Sequence, residues 1–257
     1  MFPVLFEMGG IKIHSYGFFI ALGYVATLFL GRWLARRREL DPGPFMDLAF
    51  IAIVSGVVGA RLLYVITMPG YFAEHPEEIF DLWSGGLVFY GGFILATVAC
   101  LAYGWLRHMP ILLSTDIVVT GVAFAHGFGR IGCFAAGCCH GSLCEYPWAI
   151  HNHSGFVAEA LRGKPIHPVQ LYESVALFAL SGLLVSLIVG KKHRDGVPAV
   201  VYLMGYAAIR FVMETFRGDI DRGFVLGGLL STSQFIAVLL FLLGGGLLFF
   251  FVRRKHT

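Results

Sequence analysis

Seven stretches of about twenty mostly apolar residues, separated by short polar loops, constrain this chain more than any motif it carries. They run from Tyr16 to Leu34, Asp47 to Met68, Leu87 to Leu106, Thr115 to Phe134, Gln170 to Val189, Val197 to Phe216 and Ser231 to Val252. A helix of about 20 residues crosses the hydrocarbon core of a bilayer and satisfies its own backbone polar groups there. Hydrophobic residues make up 57% of the chain, charged residues 14%, and the mean hydropathy is +0.76. The expected fold class is therefore all-α, a polytopic membrane protein with seven transmembrane helices. One membrane domain covering residues 1–257 is expected, with residues 138–168 forming a small outward-facing head loop. The opening MFPVLFEMGGIKIHS lacks the basic start of a signal peptide and is expected to stay on the chain.

The net charge of +3 is too small to suggest nucleic acid, so its placement matters more than its size. GRWLARRREL follows the first span, Arg107 the third, KKHRD the fifth and RRKH the seventh, whereas AEHPEEIFD between the second and third is acidic. Basic loops stay in the cytoplasm. The expected topology places the N-terminus outside and the C-terminus in the cytoplasm of a bacterial inner membrane.

Three arginines lie in the outer halves of spans. Counted along each helix from the cytoplasmic end, Arg61, Arg130 and Arg210 share one level roughly 20 Å across the bilayer. An intramembrane arginine costs from about 2.5 to over 10 kcal/mol and usually faces a bundle interior or a watery cavity. Tyr16, Tyr90, His167, Gln170, Glu173, Ser231, Ser233 and Gln234 open neighbouring spans on the same side. In the sixth span Tyr206, Arg210, Glu214 and Arg217 recur every three or four residues and stack on one helix face. Pairing of Arg210 with Glu214, or snorkelling, is the structural reading of any single arginine. Several guanidinium groups at one depth suit the phosphodiester of a lipid head group, which the planar fork binds in bidentate fashion.

The glycines of GFGRIGCFAAG and GGLVFYGG permit either close helix packing or broken backbone along a cavity. Cys133, Cys138, Cys139 and Cys144 follow the spacing C-x4-C-C-x4-C, which matches none of the usual metal-ligand frames. Free thiols are expected ahead of a disulfide, and a disulfide ahead of a metal.

These pieces, in order, resemble the bacterial prolipoprotein diacylglyceryl transferases: HSYG at 14–17, GGLVFYGG at 85–92, HGFGRIGCFAAGCCHG at 126–141, HPVQLYES at 167–174, YAAIRFVMETFRGD at 206–219 and STSQ at 231–234. The resemblance implies transfer of a diacylglyceryl group from phosphatidylglycerol to the lipobox cysteine of a preprolipoprotein, without metal or diffusible cofactor, by a monomer in the membrane. It implies that Arg130 and Arg210 are essential, that Tyr206 and Tyr16 support the site, and that Gly141 closes the signature. Gln170, Glu173, Glu214 and Arg217 would complete the substrate-binding set. The signature usually has Asn at Cys133 and Glu at Cys138, and a histidine proposed as general base aligns with Tyr90. Tyr90 is the expected aid to deprotonation, and Cys133 a substrate-binding position. An anionic-lipid transporter would also collect arginines, but the repeats and broken helices of alternating access are not visible in the sequence.

Overall fold

The computed structural model describes residues 2–8, 11–82, 85–154, 156–157, 159–191, 193–218 and 223–253. Lys192 of the KKHRD loop, Asp219 of the fifth motif and residues 254–256 of the RRKH run lie outside them. Seven helices are long and apolar enough to cross a membrane. They are α1 (Ser15–Arg37), α2 (Gly43–Thr67), α4 (Phe89–Leu106), α5 (Ile111–Ala136), α6 (Val169–Gly190), α7 (Val197–Phe216) and α8 (Thr232–Arg253). A short helix α3 (Pro69–Glu74) follows α2. The chain forms two compact units, Gly31–Ser114 and the remainder.

In the Gly31–Ser114 unit, α2 and α4 meet through glycine. A Cβ on Gly92 would sit 2.6 Å from the Gly56 carbonyl, and Gly59 and Gly91 each face the other's backbone. Here the glycines serve packing, the close-approach device of membrane helices. Arg61 is buried, and its guanidinium is consumed by backbone. It donates to the carbonyls of Ile79 at 2.9 Å, Gly85 at 2.8 Å, Gly86 at 3.1 Å and Glu78, and lies 5.4 Å from the rings of Tyr64 and Phe72. Gly85 and Gly86 turn through left-handed φ of 90° and 69°, which presents those carbonyls to the arginine. In the same loop Tyr71 donates to the Glu78 carboxylate at 2.6 Å, a bond that raises the phenol above its ordinary pKa. Arg61 thus anchors the acidic loop through backbone carbonyls, neither snorkelling nor pairing with a carboxylate as the structural reading of a single arginine expects.

In the other unit α5 and α6 are the most buried helices. Ala123, Leu180 and Leu184 form a core with Val201, Tyr202, Tyr206 and Ile209 of α7. Ser174 donates to the Gly127 carbonyl at 2.9 Å and Ser181 to that of Thr120 at 3.1 Å, two α6-to-α5 bonds worth on average about 0.6 kcal/mol each. Thr27 of α1 donates to the Gly121 carbonyl at 3.1 Å. The buried Asp116 of α5 caps α7, accepting from the backbone N–H of Gly196 at 2.7 Å and of Ala199 at 2.9 Å.

The expected head loop is tied down at many points. Residues Ile150–His151 and Pro165–Ile166 pair as antiparallel strands, and bridges join Gly141 to Arg217 and Leu143 to Ile166. Two further hairpins, Val4–Met8 with Ile11–His14 and Phe224–Val225 with Leu230–Ser231, go beyond the sequence reading.

Candidate active site

The site residues of the larger unit converge at the ends of α5, α6, α7 and α8 joined by the head loop. Arg130 lies one helical turn after His126 on α5, and its Nη2 meets the buried Glu173 Oε1 of α6 at 2.9 Å. His126 Nε2 lies 4.0 Å from the same oxygen, with its ring 5.6 Å from that of Tyr206. On α7, Arg210 Nη2 meets Glu214 Oε2 at 3.0 Å, the expected one-turn pair, and also donates to Ser233 Oγ of α8 at 3.1 Å. Tyr206 lies within range of the charges on Arg130, Arg210, Arg217 and Glu173. Each arginine therefore has one carboxylate holding one end of its fork.

The α8 end is set by a reciprocal cap. Ser231 N–H donates to Gln234 Oε1 and Gln234 N–H to Ser231 Oγ, both at 3.1 Å, which holds the first turn carrying Ser233. Gln170 is buried at the start of α6 and donates to the Cys138 carbonyl at 2.6 Å. Of the buried polar atoms here, Arg130 Nε and Gln170 Oε1 have no hydrogen-bond partner among the described residues, whereas the carboxylates of Glu173 and Glu214 face the arginines. A donor and an acceptor left open beside two cations suit a ligand with both phosphate oxygens and hydroxyls.

Gly141 holds the head against the helices. Gly218 N–H donates to the His140 carbonyl at 3.1 Å, Ser142 N–H to that of Phe216 at 2.8 Å and His167 N–H to that of Ser142 at 2.9 Å. A Cβ on Gly141 would fall 2.7 Å from His167 Cβ and 2.8 Å from Val169 Cγ2. Gly141→Ala is expected to cost about 1–3 kcal/mol of overpacking, read as a lowered unfolding temperature in detergent. Unchanged stability would show that the head is not wedged there.

Six motifs and this geometry converge with comparison. A family model described as prolipoprotein diacylglyceryl transferase matches residues 3–250. The chain belongs to the prolipoprotein diacylglyceryl transferase family. A protein of Clostridium tetani named phosphatidylglycerol–prolipoprotein diacylglyceryl transferase is 36% identical over 95% of both chains. One of Clostridium perfringens, with the same name and the numeral 2, is 35% identical over 94% of this chain and 92% of its own. One of Symbiobacterium thermophilum is 32% identical over 98% and 93%.

Among the residues singled out from the sequence of this family member, the structure brings together Arg130, Glu173, Tyr206, Arg210, Glu214 and Arg217 around the ends of α5, α6 and α7. Tyr16 opens α1 with its ring against Gly132 and lies within range of Arg130 and the thiols of Cys133, Cys138 and Cys139. Tyr90 opens α4 in the Gly31–Ser114 unit and is 67% exposed. Two residues that touch this group carry no role in the sequence reading: His126, for which its place one turn before Arg130 is the signal, and Ser233, read there only as opening the last span.

Proposed function

We propose that Arg130 and Arg210 hold the phosphate of phosphatidylglycerol while the lipobox thiol of a preprolipoprotein attacks the adjoining glyceryl carbon. As a member of its family the chain is a transferase of the diacylglyceryl group, embedded in a bacterial membrane. The observation that carries the phosphate assignment is the Arg130 guanidinium, its side chain 14% exposed, fixed at Nη2 by Glu173 with a buried Nε left without an acceptor among the described residues. In the reaction a C–S bond forms, the C–O bond breaks, and glycerol phosphate leaves with the electron pair. Charge grows on that phosphate in the transition state, and each arginine contact that strengthens with it lowers the barrier. Glu173 and Glu214 keep the two forks oriented, Tyr206 and Tyr16 line the approach, and Gln170, Cys133, Gly141 and Arg217 shape the mouth. Tyr90 is carried as a deprotonation aid on the resemblance alone, and a monomer is the proposed state.

Membranes carrying the protein, labelled phosphatidylglycerol and a lipobox peptide should yield labelled peptide on thin-layer analysis. Unmodified lipid that merely changes leaflet would overturn the reading in favour of transport. Orientation rests on the alternating basic loops. In a cysteine-free background, single cysteines replacing Glu77 and Arg194 should react with an impermeant reagent from opposite faces, Glu77 from outside. Labelling of both from one face would remove the topology.

A further inference from the structure

The thiols of Cys133, Cys138 and Cys139 lie within 4.8 Å of one another, beside Arg130. The linear spacing hid this because the backbone reverses twice. Gly137 ends α5 in the left-handed region at φ 82°, where its N–H and that of Cys138 both return to the Cys133 carbonyl at 2.9 and 3.1 Å. Cys139 then turns left-handed again at φ 57°, a conformation that costs a residue with a Cβ roughly 1–2 kcal/mol.

Three side chains from elsewhere hold that turn in place. Asn152 and Ser154 donate to the Gly137 carbonyl at 3.0 and 3.1 Å, and Gln170 donates to that of Cys138. The turn is therefore fixed from outside, with its three sulfurs gathered together. Cys133 is buried and the other two are half-buried, so the cluster is sheltered without being sealed from its surroundings. Cys144 is buried elsewhere in the head and is no part of it.

Three convergent thiols are a soft ligand set. Around a zinc ion with Zn–S bonds of about 2.3 Å, tetrahedral sulfurs sit roughly 3.8 Å apart, which small χ1 rotations reach from the present spacing. Three protein ligands leave a fourth position open, the arrangement of zinc sites that act on a substrate. Three thiolates and a divalent cation carry a net charge of −1, and Cys139 lies within range of both Arg130 and Arg217, which offset it.

Resting on the transferase reading above, we propose that Cys133, Cys138 and Cys139 bind one thiophilic divalent cation, whose open position takes the lipobox thiol. Loading the site releases three protons from the cysteines, and the incoming thiol releases a fourth to solvent as it coordinates. The bound thiolate attacks the glyceryl carbon, glycerol phosphate leaves with the C–O electron pair, and the neutral thioether dissociates. Such a site supplies the deprotonation that a free thiol of pKa about 8.5 lacks near pH 7.

The test uses the purified, reduced full chain in detergent with zinc or cobalt(II) alone as probe. Elemental analysis should find close to one zinc per chain, and cobalt should give an intense sulfur-to-metal charge-transfer band. Cys133→Ser and Cys139→Ser should each abolish both signals, while Cys144→Ala keeps them. A lipobox peptide should shift the cobalt band, and the same peptide with serine for cysteine should not. Stripping the metal should lower transfer at pH 7 on the order of tenfold to thirtyfold, the thiolate fraction regained by coordination, with recovery on adding zinc back. Binding far below one equivalent, two thiols lost to a disulfide without metal, a cobalt band indifferent to the peptide, or full transfer by stripped protein would each overturn the proposal. No transfer from loaded or stripped protein, with the peptide still shifting the band, would leave the cation site supported and count against the transferase reading.

Discussion

Arg130→Lys is expected to lower diacylglyceryl transfer a hundredfold to a thousandfold at matched membrane levels, and Arg210→Lys to do the same. Lysine keeps the charge but has no planar fork, so it cannot grip a carboxylate with one nitrogen and present another to a phosphate. Arg130 does the first through Nη2 on Glu173, and Arg210 through Nη2 on Glu214. Losing one oriented contact to a developing oxyanion costs about 2.7–4 kcal/mol, which sets the size of the fall. Arg61→Lys is the control. Its donors end on the carbonyls of Ile79, Gly85, Gly86 and Glu78, so the substitution should loosen the acidic loop and reduce transfer less. Wild-type rates in Arg130→Lys membranes would remove the phosphate clamp.

Glu173→Gln should have the largest effect on stability. Glu173 is 1% exposed, and its oxygen lies between the Arg130 guanidinium and His126. Removing one member of a buried ion pair leaves the other charge uncompensated, at a cost of about 3–5 kcal/mol. Thermal unfolding in detergent should fall accordingly. Added phosphatidylglycerol should restore more stability to the variant than to wild type, because an anionic phosphate replaces the missing carboxylate and a ligand that binds only the folded state stabilises it. Equal unfolding temperatures for the two proteins would show that the carboxylate does not neutralise Arg130.

The seven spans were legible because length and hydrophobicity alone decide whether a helix can cross a bilayer. The sixth was read with its observed ends, Val197–Phe216, since Gly196 and Pro198 mark its start. The fourth span runs Ile111–Ala136 against an expected Thr115–Phe134, because it begins directly after Pro110, continues through the polar Ser114, and ends only where Gly137 turns left-handed. The two-residue strands of the head gave no periodicity to detect. Of the intramembrane arginines, Arg130 and Arg210 were placed by their motifs. The separate fate of Arg61 depended on backbone carbonyls, which a sequence does not display. The thiol cluster was missed for a similar reason: ligand spacings assume regular turns, and two left-handed residues at 137 and 139 fold this segment differently.

The cap that Asp116 places on α7 also works as a common zero mark for two rulers. Arg130 lies fourteen residues beyond Asp116 on α5, and Arg210 fourteen beyond Gly196 on α7. At 1.5 Å per residue both helices measure out about 21 Å from one shared hydrogen bond, so two guanidinium groups far apart in the chain arrive at the same height. Inserting a single residue into either ruler would advance its arginine by about 1.5 Å and swing it roughly 100° about the axis, separating the pair while every side chain of the site stayed in the sequence. The number of residues between cap and arginine is thereby a dimension of the proposed phosphate clamp in its own right.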